Sequence, residues 1–245
     1  SPNDPPTRIG LPVADMITPL FGVIGILSAL HMARLTGEGQ QVDVSMLGSL
    51  TALMAGEGFD LLESLGVPLR TGPTVARLAP FGVYATQTGH VAICAPTDVF
   101  AAGLFRALGQ PELSRDARFA TRDARVAHGP QLDALIETWT RARPTDVITE
   151  ALLAQGVPAA EVRSPRAAVR DARVLAREEC VPLEHPQHGR TAEVYGMGVP
   201  IKFSKAHAGF DRPPPQVGEH NQLVYGELLG YDEAKLRALA ERGVI

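Results

Sequence analysis

Residues 10–46 read GLPVADMITPLFGVIGILSALHMARLTGEGQQVDVSM, and this stretch decides the fold class. Its first half is apolar at nearly every position, which predicts a long, buried core helix that ends at about Leu35. The segment 36–39 (TGEG) then supplies a glycine for the left-handed C-terminal turn. Residues 41–44 (QVDV) alternate as a short strand does, and Ser45 is a suitable N-cap for a second helix. Two long helices around one strand indicate an α/β body.

Asp15 is the single carboxylate in the apolar first part of this stretch. An ionised carboxylate is costly to bury unless it is paired, so Asp15 is predicted to be either a helix cap or a functional group. Thr18 followed by Pro19 offers another helix start, with threonine as N-cap and proline as the first helical residue. In both cases a helix N-terminus lies within a turn of Asp15, where N–H groups and the positive end of the dipole stabilise a carboxylate.

Composition argues against several classes of protein. A formal net charge of -4 leaves no basic footprint for nucleic acid. Cys94 and Cys180 lack CxxC or metal-ligand spacing, which favours reduced thiols in a cytoplasmic protein over disulfides. His185 and His188 lie in a segment broken by proline and glycine, without a third ligand at a telling spacing, so no metal site is expected. The longest apolar run, residues 16–30, is shorter than the roughly 18 residues of a membrane span, so no membrane association is expected.

Proline and glycine divide the rest of the chain into segments. Residues 66–80 are predicted to be a linker, and residues near 80 to 165 a small α+β unit. Residues 181–215 form a second irregular stretch. The predicted elements are a hairpin of 82–86 and 90–95, helices at 99–108, 130–141 and 145–155, a strand at 160–162, and closing helices at about 221–229 and 232–242.

Several short sequence motifs follow one another along the chain in a recognisable order. They are IGLPVAD (9–15), RLTGEGQQVDVSM (34–46), GVYATQTGHVAI (82–93), ALGQPEL (107–113), DARFAT (116–121), QGVPAA (155–160), VGEH (217–220) and LLGYD (228–232). In this order they resemble the family III CoA-transferases. This CaiB/BaiF-type group also contains formyl-CoA transferase and α-methylacyl-CoA racemase.

The resemblance implies an α/β fold with a large Rossmann-like domain, completed by both chain ends, and a small α+β domain, in an interlocked homodimer. Residues 1–65 would be the part of the large domain that carries the catalytic aspartate, 66–80 a linker, 81–165 the small domain, 166–200 a linker and return, and 201–245 the C-terminal part of the large domain. Family chains begin with a nucleotide-binding half that supplies most contacts to CoA. The resemblance therefore implies that this N-terminal half, or a partner chain in its place, is missing from these residues.

The resemblance also implies the chemistry. Asp15 falls on the nucleophilic aspartate of the transferases, which move CoA from an acyl-CoA to a free carboxylic acid through an aspartyl anhydride and an aspartyl-CoA thioester. CoA is then a substrate, and no permanently bound cofactor is expected. The residues that bind CoA would lie mostly in the missing half. Met16, Ile17, Thr97 and Asp98 are the candidates for substrate binding in this chain.

Two alternatives to CoA transfer stay open. Aligned through 91–96 (VAICAP), the racemase pattern has a glutamate where this chain has 96–98 (PTD), and its catalytic histidine would lie in the missing half, which argues against racemization. Asp98 is close enough in register to keep open an acyl-CoA racemase or epimerase that uses Asp15 to exchange an α-proton. A non-catalytic subunit that shapes an oligomer is the other alternative. Residues 71–80 (TGPTVARLAP) lack the consecutive glycines of the formate- and carnitine-type transferases, which argues against those substrates.

Overall fold

The computed structural model describes residues 5–185, 189–210 and 215–245, and it divides the chain into two compact units, residues 1–162 and 163–245. The first unit opens with three helices: α1 (Val13–Thr36), α2 (Met46–Gly56) and α3 (Phe59–Ser64). Helix α1 packs along α2 and ends as predicted, because Gly37 adopts the left-handed conformation with φ of 79°. Ser45 caps α2 as predicted, and its Oγ accepts a hydrogen bond from Gly48 N at 2.9 Å.

The start of α1 contradicts both predicted caps. The helix begins at Val13, and its N-cap position is held by Pro12 without a side-chain hydrogen bond, so Asp15 is the third helical residue and not a cap. Thr18 and Pro19 lie inside the helix. The Thr18 hydroxyl donates to a carbonyl one turn earlier, at 2.8 Å, and so satisfies itself within the helix instead of capping it.

Residues 41–44 form no strand, contrary to the alternation of their side chains. They are a coil between α1 and α2. A strand is stable only through its ladder to a neighbour, and among the described residues no backbone group pairs with this segment.

Most of the apolar surface of α1 is exposed. None of its 24 residues is buried, so the predicted burial of this core helix is wrong for the described part of the chain. By length and composition alone, α1 could cross a membrane, a property that it shares with core helices and signal sequences. The expected lack of membrane association stays a prediction. The exposed large apolar side chains of α1 are Met16, Leu20, Phe21, Val23, Ile24, Ile26, Leu27, Leu30, Met32 and Leu35.

The core of the first unit lies in residues 81–161, and the predicted α+β elements are confirmed there. Strands β1 (Phe81–Ala85), β2 (His90–Cys94) and β3 (Ala159–Glu161) form an antiparallel sheet in the order β1-β2-β3, with Val83 opposite Ala92 and Ala92 opposite Ala160. The helices are α4 (Asp98–Ala107), α5 (Arg122–Ala127), α6 (Gly129–Arg141) and α7 (Thr145–Ala154), with a 3-10 turn at Pro111–Arg115.

One hydrophobic cluster holds the sheet and these helices together. Its strand residues alternate, since Val91 and Ile93 of β2 point inward between more exposed neighbours. Phe105 and Phe119 meet with ring centroids 6.3 Å apart. Trp139 is partly buried against this cluster.

A polar contact joins β1 to α6 beside this cluster. The Tyr84 hydroxyl, in a side chain only 4% exposed, donates to Asp133 Oδ1 at 2.6 Å. Burial is the main cause that raises the pKa of Asp133, and the charge of Glu137 adds to it, while the hydrogen bond from Tyr84 opposes both. Burial and the Asp133 carboxylate also raise the pKa of Tyr84, which keeps this hydroxyl protonated as a donor.

The Tyr84→Phe substitution tests this contact. We expect it to lower the free energy of unfolding by about 1–2 kcal/mol at pH 7, because a half-buried carboxylate loses its donor. The cost should shrink at acidic pH, where a protonated Asp133 depends less on that donor. The raised pKa of Asp133 also makes the stability of the wild type depend on pH. Above about pH 4 the unfolded state has released a proton that the folded state still holds. The free energy of unfolding therefore falls as the pH rises from about 4 through the folded pKa of Asp133. Urea unfolding of both proteins across this range measures both effects, and an equal cost at every pH would contradict them.

The second unit contains a hairpin that the sequence did not predict. Helices α8 (Pro165–Val169) and α9 (Ala172–Ala176) precede β4 (Cys180–His185) and β5 (Gly189–Met197), which pair antiparallel with an irregularity between Pro182 and Glu184. Proline and that irregularity mask the strand period, so the expectation of an irregular stretch at 181–215 is wrong for its first part. His188 and residues 211–214 lie outside the described residues.

The chain closes with the two predicted helices. The first is π-helical at Gln222–Leu228, and the second is α10 (Glu233–Glu241), where Asp232 caps the helix by accepting from Lys235 N at 2.8 Å. The predicted union of residues 1–65 with 201–245 in one large domain stays a prediction.

Candidate functional site

Asp15 lies in the first turn of α1 with an exposed side chain. Within the described ranges its carboxylate has no hydrogen bond and no ion pair. The N–H groups of Val13 and Met16 donate to the carbonyls of Leu11 (2.9 Å) and Pro12 (3.1 Å). The N–H groups of Ala14 and Asp15 have no hydrogen-bond partner among the residues that the structure describes. Donors and a carboxylate therefore stand together at the positive end of the helix dipole.

Pro19 changes the backbone beside Asp15. In an α-helix the N–H of each residue bonds the carbonyl four residues earlier, and proline has no N–H. The carbonyl of Asp15 therefore loses its helical partner, which is residue 19. The first turn of α1 is held by one hydrogen bond fewer than an unbroken helix would have.

The other predicted site residues fall into two groups. Met16 is exposed and Ile17 is half-buried, both in the first turns of α1. Thr97 and Asp98 are exposed at the start of α4, where Thr97 is the N-cap and accepts from Phe100 N at 3.3 Å. Helix α4 packs against the 3-10 turn and α7, and in the described part of the chain no hydrogen bond or ion pair joins the two groups.

Asp98 has a structural partner that the sequence did not indicate. Arg125 of α5 is 1% exposed, and its Nη2 donates to Asp98 Oδ1 at 2.8 Å. Three further bonds go to backbone carbonyls: Nε to Ala79 (3.1 Å), Nη1 to Phe119 (3.2 Å) and Nη2 to Pro96 (3.1 Å). The guanidinium thus ties together three separate stretches of the chain, at residues 79, 96–98 and 119. Asp98 has an ion-pair role in this network whether or not it binds substrate.

No group of three or more His, Cys, Asp or Glu side chains within the described ranges could hold a metal ion. The side chain of His185 and all of His188 fall outside what the structure describes. Cys94 and Cys180 are free thiols, both half-buried.

A sequence profile described as CoA-transferase family III matches residues 1–221. The succinyl-CoA–D-citramalate CoA-transferase of Chloroflexus aurantiacus is 33% identical over 245 residues, which are 100% of this chain and 60% of that protein. The succinate–glutarate CoA-transferase of Agrobacterium fabrum is 32% identical over 228 residues, 93% of this chain and 56% of that protein. The chain therefore spans less than two thirds of the length of these curated relatives.

Solved structures give the same result for the fold. A CAIB/BAIF family protein from Brucella suis superposes with a TM-score of 0.70 at 32% identity, over 93% of this chain and 58% of that one. A Mycobacterium tuberculosis protein at 20% identity has a TM-score of 0.75 over 91% of this chain and 57% of its own, which shows the fold alone. The predicted fold class is confirmed. Because a family profile matches residues 1–221 and a relative is 33% identical over the whole of the present chain, this chain belongs to CoA-transferase family III.

Proposed function

We propose that this chain carries the nucleophile of an enzyme that transfers CoA from an acyl-CoA to a free carboxylic acid, with Asp15 as that nucleophile. The observation that carries the proposal is the exposed Asp15 carboxylate, without a partner in the described residues, in the first turn of α1. Membership of CoA-transferase family III supports the reaction class. A carboxylate that neither caps its helix nor pairs with a cation has no structural role in the described contacts.

The chemistry needs a carboxylate. Asp15 attacks the thioester carbonyl of the acyl-CoA, and the C–S bond breaks. CoA thiolate is released, and the acyl group is now joined to Asp15 as a mixed anhydride. The thiolate then attacks the aspartyl carbonyl of that anhydride and releases the first acid. The acceptor carboxylate attacks the aspartyl-CoA thioester, whose C–S bond breaks to release CoA thiolate and form a second anhydride. The thiolate then attacks the acceptor acyl carbonyl, which gives the new acyl-CoA and frees the Asp15 carboxylate.

The start of α1 suits these steps electrostatically. Each attack forms a tetrahedral oxyanion next to the Asp15 side chain. The N–H groups of Ala14 and Asp15 are donors without partners in the described part of the chain, at the positive end of the helix dipole. Such donors stabilise an oxyanion more than the neutral carbonyl from which it forms.

The acceptor is proposed to be a short dicarboxylic acid. The names of two relatives contain D-citramalate, succinate and glutarate, each of which has two carboxylates. When one carboxylate becomes a thioester, the other keeps its charge. An enzyme for such acids needs a cationic group that recognises the charged end.

The complete enzyme is proposed to contain further polypeptide, corresponding to the relatives' remaining length, that supplies most contacts to CoA. Support comes from the share of the relatives that this chain spans and from the uncovered apolar surface of α1. An interlocked homodimer in the cytoplasm completes the proposal.

Hydroxylamine trapping tests the covalent step. When the complete enzyme is incubated with an acyl-CoA and then hydroxylamine, we expect a hydroxamate on the carboxyl group of residue 15, because anhydrides and thioesters are activated toward amines. Peptide mass spectrometry locates the modified residue. A hydroxamate at another carboxylate would contradict the assignment of Asp15. Deuterium uptake at the substrate α-carbon in heavy water, with no acceptor acid present, would indicate an acyl-CoA racemase instead.

A further inference from the structure

A groove with mixed apolar and charged walls lies in the first unit, between α3 and residues 67–77. Its volume is about 440 Å³, which is within the range of small-molecule sites. The apolar part of the lining includes Phe59, Leu62, Val67 and Val75, and its charged residues are Glu57, Arg70 and Arg77. An apolar lining with few charged groups suits a short hydrocarbon chain that ends in a charge.

Two charged side chains of the groove pair with each other, so one of its cations already binds a carboxylate. Arg77 Nη2 makes an ion pair with Glu57 Oε2, and the two side chains are 36% and 48% exposed. Ion pairs this accessible to water contribute only about 0–1 kcal/mol. A ligand carboxylate can therefore replace Glu57 at little cost, and a guanidinium binds a carboxylate through two parallel hydrogen bonds.

The groove is also connected to the segment that leads into α1. Arg70, which lines the groove, donates from Nη2 to the carbonyl of Pro5 at 3.0 Å. Pro5 precedes Asp15 in the run that enters α1. This contact ties the groove wall to the stretch of chain that precedes α1, ten residues before Asp15.

We propose that this groove binds the free carboxylate of a short dicarboxylic acid, with Arg77 as the receiving cation and Glu57 as the carboxylate that the ligand displaces. This assignment rests on the proposed transfer reaction. The apolar wall would contact the methylene groups of the acid. Arg77 would then be a specificity residue that distinguishes an acid with two carboxylates from one with a single carboxylate.

Succinate and butyrate, four-carbon acids that differ by one carboxylate, test the proposal as acceptors for the complete enzyme. We expect Arg77→Gln to lower kcat/KM for succinate by about 10- to 100-fold, the effect of losing a charged hydrogen-bonding partner, and to leave that for butyrate within about 3-fold. Arg77→Lys, which keeps the charge but loses the bidentate geometry, should recover part of the loss. Glu57→Gln should lower KM for succinate, because the competing carboxylate is gone.

Arg118→Gln is the matched control, since Arg118 is an exposed arginine that pairs with Asp116 at 2.6 Å outside the groove. This substitution should leave kcat/KM unchanged for both succinate and butyrate. Each of three results would overturn the assignment. They are an equal loss of kcat/KM for succinate and butyrate in Arg77→Gln, a wild type that does not prefer succinate, and an unchanged KM for succinate in Glu57→Gln.

Two readouts separate this proposal from the proposed function. With a donor whose acyl group has no second carboxylate, such as butyryl-CoA, the hydroxamate at residue 15 forms without the groove, so Arg77→Gln should form it as the wild type does. Calorimetric titration of succinate into both proteins measures binding without turnover. Wild-type binding that Arg77→Gln loses would support the groove even if no hydroxamate formed. Equal succinate binding by the two proteins would overturn the assignment of the groove, even if the hydroxamate formed at Asp15.

Discussion

Asp15→Asn is expected to lower turnover of the complete enzyme by about 10³-fold or more, the scale observed when a covalent nucleophile is removed. The amide keeps the size of the side chain but loses its charge and most of its nucleophilicity. Stability should change by no more than about 1 kcal/mol, because Asp15 has no partner in the described structure and contributes only through the helix dipole. Steady-state CoA transfer, together with thermal unfolding, measures both quantities.

The control for this variant is Asp60→Asn. Asp60 is also an exposed carboxylate in the first turn of a helix, α3, and it does not line the groove. Its replacement should have the same small effect on stability and leave turnover unchanged. Ordinary turnover in Asp15→Asn would make Asp15 a surface residue and would remove the proposed mechanism.

Arg125→Met is expected to cost the most stability, about 3–5 kcal/mol, since it removes a buried cation from its hydrogen-bonded network. Methionine fills much of the space but has no donor. The carbonyls of Ala79, Pro96 and Phe119 then lose their bonds from Arg125 in or beside the core, and an unsatisfied buried acceptor costs about 1–3 kcal/mol. Urea unfolding gives the difference in free energy.

Asp98→Asn separates the ion pair from the rest of this network. The Asp98 side chain is 70% exposed, so water can replace its contact with Arg125, and the three bonds to backbone carbonyls remain. The expected cost is below about 1 kcal/mol. A large cost for Asp98→Asn with a small one for Arg125→Met would reverse our assignment of the stabilising contacts.

Sequence reasoning succeeded where the determining contacts are local. Ser45 caps α2 through a hydrogen bond three residues away, Gly37 ends α1 through its own φ angle, and the β1-β2 hairpin follows from alternation around Gly89. In each case the interacting groups lie within a few positions of one another, so their spacing in the chain is enough to predict them.

The errors arose where distant groups decide the outcome. Residues 41–44 have the alternation of a strand but no described neighbour to pair with. The burial predicted for α1 depends on other polypeptide that covers it, and composition cannot show whether that is present. Arg125 could not be predicted to be buried, because its acceptors come from three segments far from one another in sequence. At the site, a helix start near Asp15 was predictable from the residues, whereas the role of nucleophile came from the family resemblance and stays a prediction.

Pro19 gives α1 uneven stiffness. Most of this helix of 24 residues has the regular ladder of hydrogen bonds that resists bending, whereas the turn that carries Asp15 has lost one of them. A small tilt of that turn costs less than the same tilt in the middle of the helix. The Asp15 carboxyl therefore lies on the most easily deformed turn of α1, where a small rotation of the backbone moves the side chain while the rest of the helix stays in place.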